Sequence, residues 1–142
     1  MNVQEAVARI LKLEGVEWIS CFPSNQLIEA AAKEGIRTIM FRQERGALMA
    51  ADGYSRLNDR NKFGVTITQG GPGSENSMAG LAQAYSDNVP ILYLPGGPAV
   101  SQYNVRPNFS PTRTYQSVSK FGEVIYQPAQ VGDVMRRAPA GT

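Results

Sequence analysis

The sequence predicts an α/β fold, with three α/β/α layers around a mainly parallel, open sheet. Short apolar segments typical of buried strands alternate with amphipathic helical segments, at the spacing of β-α-β units. Glycine, proline or asparagine separates most of these segments, as expected for the loops between them. The length of 142 residues suits one domain with one hydrophobic core.

The elements follow one another in order along the first two thirds of the chain. The predicted strands, each short and apolar, cover residues 17–22, 36–41, 64–68 and 90–94. The predicted helices, each with an apolar face, cover residues 2–14, 44–57 and about 74–85. One more helix lies between the first two strands, where Ser24 or Asn25 can cap its start and Gly35 ends it.

The pattern weakens after the fourth strand. Residues 101–114 are polar and contain proline, which indicates a surface excursion. Residues 123–126 could form a last strand, and residues 129–138 a last helix. We expect one domain over residues 1–138 and the start of an interdomain linker at residues 139–142, as in a piece of a longer protein.

Composition excludes several classes of chemistry. The chain has no histidine, which excludes histidine triads, histidine metal sites and histidine acid–base catalysis within it. A single cysteine, Cys21, excludes an internal disulfide and a cysteine-cluster metal site, and we expect no metal ligand here. The formal charge of +2 favours neither nucleic acid nor a membrane surface. With no spanning apolar run and no signal-peptide pattern, a cytoplasmic location is expected.

Three loops leave predicted strands at the same edge of the predicted sheet. They are residues 23–25, 42–44 and 69–74. In open parallel sheets, ligands bind beyond the carboxyl ends of the strands. We therefore expect the functional site among these loops.

Glu44 is the first candidate, because it closely follows a strand and opens a helix. An acidic residue in the first helical turn is commonly a partner of the helix dipole and no more. The same helix contains Gly53, and glycine inside a helix costs about 1 kcal/mol relative to alanine. Close packing against another backbone or another subunit would explain this glycine, and ordinary tight packing would explain it equally well.

The glycine loop is the second candidate, with Gly70, Gly71 and Gly73 between a strand and a helix. Such glycines permit positive φ angles and close approach of a ligand to the backbone. A nucleotide-phosphate site fits poorly, because a further glycine is needed where Asn76 stands and the phosphate-loop lysine is missing. Pro72 stiffens the loop, which favours a fixed wall. The segment at residues 23–25 is, by itself, a turn and a helix cap.

Taken together, two motifs resemble the N-terminal, pyrimidine-binding domain of thiamine-diphosphate (ThDP) enzymes of the acetolactate-synthase type. The first motif is Arg42-Gln43-Glu44-Arg45-Gly46-Ala47 followed by Ala50-Ala51-Asp52-Gly53-Tyr54-Ser55-Arg56. The second is Thr68-Gln69-Gly70-Gly71-Pro72-Gly73-Ser74-Glu75-Asn76, continued by Gly80-Leu81-Ala82-Gln83-Ala84-Tyr85 and Pro90-Ile91-Leu92. Their order and spacing agree with the family to about residue 97, and more loosely to Arg137.

The resemblance implies a role for each motif. Glu44 would be the catalytic residue: it would hydrogen-bond N1′ of the aminopyrimidine and so promote the ThDP ylide, which attacks a 2-oxo acid and releases CO₂. Pro23, with Ser24 and Asn25, would line the cofactor. Gln69, Pro72 and Asn76 would border the pyrimidine, and the backbone of Gly70, Gly71, Pro72 and Gly73 would shape that border.

The sequence also departs from the family pattern. Gln43 stands where histidine is common, and Gln69 stands where the family has histidine or threonine. The usual Pro-Gly after the first strand is missing, and Pro95-Gly96-Gly97 replaces a Gly-Gln. Acetolactate synthases supply a further glutamine from the next loop, for which Gln102 and Gln116 both remain candidates. These departures bear on the substrate more than on cofactor binding.

The resemblance further implies that the chain holds half a site, either as a piece of a longer enzyme, which its linker-like end favours, or as a small subunit of a split enzyme. Family members bind the diphosphate through Mg²⁺ on a second domain, whose Gly-Asp-Gly motif is missing here, and the site forms between subunits. We expect a homo-oligomer, a diphosphate-binding domain as partner, and no activity from this chain alone; FAD is possible but nothing supports it. A non-catalytic assembly or small-subunit domain of the same ancestry is the alternative. An unrelated nucleotide-binding domain has only the glycine loop in its favour.

Overall fold

The structure, a computed structural model, describes residues 1–59 and 61–140, apart from the side chains of residues 139 and 140. The strands are β1 (Trp18–Cys21), β2 (Arg37–Met40), β3 (Gly64–Thr68) and β4 (Ile91–Pro95). The α-helices are α1 (Val3–Leu13), α2 (Gln26–Lys33), α3 (Glu44–Leu57), α4 (Pro72–Ser86), α5 (Pro111–Thr114) and α6 (Val131–Ala140). Short 3₁₀ turns cover Val100–Gln102, Tyr115–Val118 and Pro128–Gln130.

The sheet has the order β2-β1-β3-β4, and every neighbouring pair is parallel. Helices α1, α2 and α6 pack on one face, while α3 and α4 pack together on the other. The predicted three-layer α/β/α fold with a parallel sheet is therefore confirmed. Because β1 connects to β2 on one side and β3 to β4 on the other, the carboxyl ends of β1 and β3 flank the point where the winding reverses.

The two faces of the sheet differ in chemistry, because alternate residues of a strand point to opposite faces. Ile19 and Cys21 of β1, with Val65 and Ile67 of β3, belong to the apolar core under α1, α2 and α6. Burial raises the pKa of the Cys21 thiol to about 11. At neutral pH this cysteine is therefore an uncharged core residue, as its position in an apolar strand predicts.

The opposite face carries small and polar residues that bring α3 close to the sheet. Ser20 and Thr66 are hydrogen-bonded at 2.6 Å, and Thr66 Oγ1 donates to the Ala47 carbonyl at 3.2 Å. A Cβ atom on Gly64 would lie 2.2 Å from the Ala51 carbonyl oxygen, so only glycine permits this approach. The start of α3, where Glu44 lies, is thereby fixed relative to the sheet.

Close packing within this chain does not explain the glycine at position 53. A Cβ atom added there would meet no described atom within 4 Å. Packing against a backbone of the same chain is therefore not the reason for this glycine. A contact with another subunit stays a prediction.

The last part of the chain differs from expectation in one element. Residues 123–126 do not join the sheet, and the predicted last strand is wrong. The Gln130 side chain accepts hydrogen bonds from the Tyr126 and Gln127 amides, which are then not free to pair with a strand. The predicted last helix is present as α6, and it includes residues 139 and 140 of the proposed linker start; residues 141–142 lie outside the described part. Of the helices described, none is both long and apolar enough to cross a bilayer.

Candidate functional site

The loops after β1, β3 and β4 converge on one backbone atom at the carboxyl edge of the sheet. The Thr68 carbonyl, at the end of β3, accepts hydrogen bonds from Asn25 Nδ2 at 2.8 Å and from the Gly96 amide at 2.9 Å. A Cβ atom on Gly70 would lie 2.4 Å from the Gly96 carbonyl oxygen. The glycine at position 70 is thus required by the close contact between two loops.

Glu44 is buried at the start of α3, with 7% of its surface exposed. Its Oε2 atom accepts a hydrogen bond of 2.7 Å from Asn76 Nδ2 on α4. The other oxygen, Oε1, has no hydrogen-bond partner among the described residues. Every fully buried polar side-chain atom of the described residues does have a partner, so Oε1 is not fully buried. Oε1 therefore remains accessible from outside the chain, so one carboxylate oxygen is held and the other is open.

Gly73 makes room for this carboxylate. A Cβ atom at residue 73 would lie 2.8 Å from Glu44 Oε1 and 3.0 Å from Gln69 Cβ. Glu44, Gln69, Gly73 and Asn76, which the resemblance assigns to one site, thus lie around a single carboxylate. Glu44 is therefore more than a partner of its helix dipole, because α4 supplies both the Asn76 hydrogen bond and, at Gly73, the space beside the carboxylate.

The glycine loop leads directly into α4. The helix starts at Pro72, two residues before the predicted start, because proline is well suited to the first helical position. Gly71 precedes it with φ of 60°, a conformation that favours glycine. Gly70 and Gly73, by contrast, are needed for space and have no positive φ. The loop is a rigid wall, as the proline predicts.

The residues after β1 have hydrogen bonds to β3 and α2, and none of those described joins them to Glu44. Asn25 joins their loop to β3 and caps α2, accepting a hydrogen bond from the Leu27 amide at 3.0 Å. Pro23 and Ser24 are exposed, and no described contact connects them to the carboxylate. Their assignment to the cofactor, like that of the other site residues, stays a prediction.

Ser24 has φ of 75°, at the turn where the family pattern has Pro-Gly. A left-handed conformation costs a non-glycine residue about 1–2 kcal/mol, which a glycine would avoid. Glycine loses more backbone entropy on folding, and this loss offsets roughly half of the gain in stability. We expect Ser24→Gly to raise the free energy of unfolding by about 0.5–1 kcal/mol. Urea unfolding followed by circular dichroism measures it. A loss of stability would mean that the serine side chain stabilises the turn in some other way.

Of two cavities in the described part of the chain, one lies beside the glycine loop and one lies elsewhere, and neither is lined by Glu44. A groove of about 750 Å³ is lined by Gly70, Gly71, Pro72, Glu75, Gly97, Pro98, Pro107, Asn108 and Phe109. Residues 107–109 were not predicted to line a groove beside the glycine loop, because they are distant from it in sequence and carry no motif. An apolar cavity of about 610 Å³ lies beside β4, away from every predicted site residue. Neither Gln102 nor Gln116 lines the groove, so the choice between them stays open.

No three histidine, cysteine, aspartate or glutamate side chains of the described residues lie close enough together to hold a metal ion. Glu44 thus belongs to no such group, and its described side-chain hydrogen bond comes from an amide. That arrangement suits a single hydrogen bond to an organic ligand better than coordination of a cation, which takes several oxygen ligands.

A family model described as the N-terminal TPP binding domain of thiamine pyrophosphate enzymes matches residues 1–120. The chain belongs to this family. Thiamine pyrophosphate is ThDP under its other name, so the predicted resemblance is confirmed. Both Glu44 and the glycine loop of this TPP binding domain lie within residues 1–120, which the family model matches.

Curated relatives of this TPP binding domain are acetolactate synthases. The isozyme 2 large subunit from Escherichia coli (strain K12) is 32% identical over 125 residues, which are 86% of this chain and 21% of that protein. The large subunit from Lactococcus lactis is 36% identical over 96 residues, 65% of this chain and 16% of that protein. The large subunit from Buchnera aphidicola of Acyrthosiphon pisum is 37% identical over 101 residues, 68% and 17% respectively. The chain spans about a fifth or less of the length of these relatives.

Proposed function

We propose that this chain supplies the pyrimidine-binding half of the active site of a ThDP-dependent 2-oxo-acid carboligase or decarboxylase similar to acetolactate synthase. The observation that carries the proposal is the Glu44 carboxylate, buried, held by Asn76 on one oxygen and open on the other. Membership of the TPP binding family and the names of the relatives support the cofactor and the reaction class.

The residues present fit the aminopyrimidine part of the cofactor. A carboxylic acid is a suitable partner for a ring nitrogen, since it can donate to that nitrogen and take the proton back. Gln69, the backbone of Gly70, Gly71 and Gly73, Pro72 and Asn76 would border the ring, and Pro23, Ser24 and Asn25 would extend the binding surface. When bound, ThDP would supply a carbon nucleophile for the 2-oxo acid and a ring that can accept the electron pair left by CO₂.

The task of this chain is to hold a proton at N1′ of the ring. Glu44 Oε1 would form that hydrogen bond, and Asn76 would keep the carboxylate from rotating away, because it holds Oε2 at 2.7 Å. Burial removes competing water, which makes one orientation of the carboxylate more effective. Glu44 is then the catalytic residue, and Asn76 is a residue that orients it.

The site would be completed from outside the chain. The Glu44 oxygen that Asn76 does not hold is the side on which another domain would meet the carboxylate. We propose that a diphosphate-binding domain, of the same or another subunit, holds Mg²⁺ and the diphosphate. This chain alone would then be inactive. We further propose that the complete enzyme is a cytoplasmic homo-oligomer. The departures at Gln43 and Gln69 motivate the alternative, a non-catalytic assembly domain.

Cofactor binding is tested by calorimetric titration of the complete protein with ThDP in the presence of Mg²⁺. We expect saturable binding, and we expect Gly73→Ala to weaken it by at least about tenfold, because a Cβ atom there would displace the Glu44 carboxylate. Gly132→Ala is the matched control, since its Cβ would meet nothing within 4 Å. Saturable binding of ATP or NAD in place of ThDP would contradict the proposal. Bound ThDP without any turnover of 2-oxo acids would favour the assembly domain.

A further inference from the structure

Hydroxyl groups of two tyrosines and a threonine contact the segments on either side of the glycine loop. The Tyr93 hydroxyl, on β4, is 2.8 Å from Thr68 Oγ1, which in turn donates to the Gln69 carbonyl at 3.2 Å. The Tyr115 hydroxyl donates to the Ser74 carbonyl in the first turn of α4. The two tyrosines therefore bind the loop at both ends, one before it and one after it.

Tyr115 is well placed for a lasting contact. It is buried, with 5% of its surface exposed, and its ring lies 6.0 Å from the Tyr93 ring and 6.4 Å from the Phe109 ring. Burial, followed by the neighbouring Tyr93, raises the pKa of Tyr115 well above its usual range. The hydroxyl thus stays protonated and can donate at neutral pH.

The first turn of α4 has few other anchors. Its N-cap, Gly71, has no side chain and therefore provides no capping hydrogen bond. The Ser74 hydroxyl approaches the Gln69 carbonyl only at 3.5 Å, which is a weak hydrogen bond. From within the helix, the Ser77 hydroxyl donates to the Gly73 carbonyl at 3.0 Å. Among the described residues, the Tyr115 hydroxyl is the side chain from outside the helix that donates to the backbone of this turn.

We propose that Tyr115, assisted by Tyr93, is a positioning residue that holds the first turn of α4 so that Gly73 and Asn76 stay against the Glu44 carboxylate. Ser74, which Tyr115 binds, lies directly after Gly73 and two residues before Asn76. A shift of Ser74 would therefore move the donor on Oε2 and the wall beside Oε1 together. The effect on catalysis rests on the function proposed for Glu44; the effect on the helix does not.

The test compares Tyr115→Phe and Tyr93→Phe, which keep the rings, with Tyr126→Phe as control. Tyr126 is exposed and pairs with Tyr103 at 5.0 Å, away from α4. Amide hydrogen exchange is measured over residues 73–78 of the complete protein without cofactor. We expect Tyr115→Phe to speed this exchange by about tenfold, because one hydrogen bond is lost, and Tyr126→Phe to leave it unchanged.

The catalytic half of the test is the exchange rate of the ThDP C2 proton at saturating cofactor. We expect Tyr115→Phe to slow it by about 10- to 100-fold, because small displacements of positioned groups have effects of that size. A tyrosine that only stabilises the fold would lower the melting temperature and leave this rate at the wild-type value. That outcome, or unchanged amide exchange in both variants, would overturn the proposal. If wild-type protein bound no ThDP, the function proposed for Glu44 would fail, and the amide exchange would still decide whether Tyr115 holds α4.

Discussion

In the variant Glu44→Gln, exchange of the C2 proton of bound ThDP is expected to fall by about 10³-fold, within the range for loss of a proton-transferring side chain. The amide has the size of the carboxylic acid and can still accept the hydrogen bond from Asn76. It cannot hold and release a proton at a ring nitrogen. We therefore expect ThDP binding to change much less than the exchange rate, which nuclear magnetic resonance measures after quenching in acid.

Glu29→Gln is the matched control for this variant. Glu29 lies on α2, is exposed, and pairs with Lys33 at 2.8 Å, so its loss should leave the exchange rate unchanged. Wild-type exchange in Glu44→Gln would remove Glu44 from the mechanism. An equal slowing in both variants would indicate a general loss of folded protein and would be visible as a lower melting temperature.

Gly64→Ala is expected to lower the free energy of unfolding by about 3 kcal/mol or more. The added Cβ atom would lie 2.2 Å from the carbonyl oxygen of Ala51 and 2.6 Å from its Cα atom. These are backbone atoms in the middle of α3, so no side-chain rotation relieves the contact. The Gly64 amide also donates to Ser55 Oγ at 2.8 Å, and separating α3 from β3 would break this hydrogen bond.

Gly53→Ala, in α3, is expected to raise the free energy of unfolding, the opposite of Gly64→Ala. Its Cβ atom would meet nothing within 4 Å, and alanine is favoured over glycine inside a helix by about 1 kcal/mol. Denaturant unfolding of the two variants should therefore give shifts of opposite sign. A Gly64→Ala protein as stable as wild type would show that α3 does not approach β3 as closely as described. Weaker self-association of Gly53→Ala in light scattering would support a subunit contact at that glycine.

Most of the fold could be predicted, because periodicity and chain breaks are local properties. Trp18–Cys21 and Gly64–Thr68 fall within or on the predicted strands, since short apolar segments between turns leave few other choices. The predicted strand at residues 123–126 was wrong for a tertiary reason. Its apolar Ile125 packs against the core, but the backbone next to it is hydrogen-bonded by Gln130. An apolar segment shows that a chain is buried, and it does not show which partner satisfies its backbone.

The sequence by itself determined the alternation of strands and helices, the family, and the candidates Glu44, Gly73 and Asn76. Only the tertiary structure decided that Asn76, 32 residues further along, holds the Glu44 carboxylate, that Gly73 is a matter of space, and that Tyr115 binds the turn between them. The physical reason is that residue type and spacing set local conformation. Distances between loops depend on the order and register of the strands, which the packing of the whole chain sets.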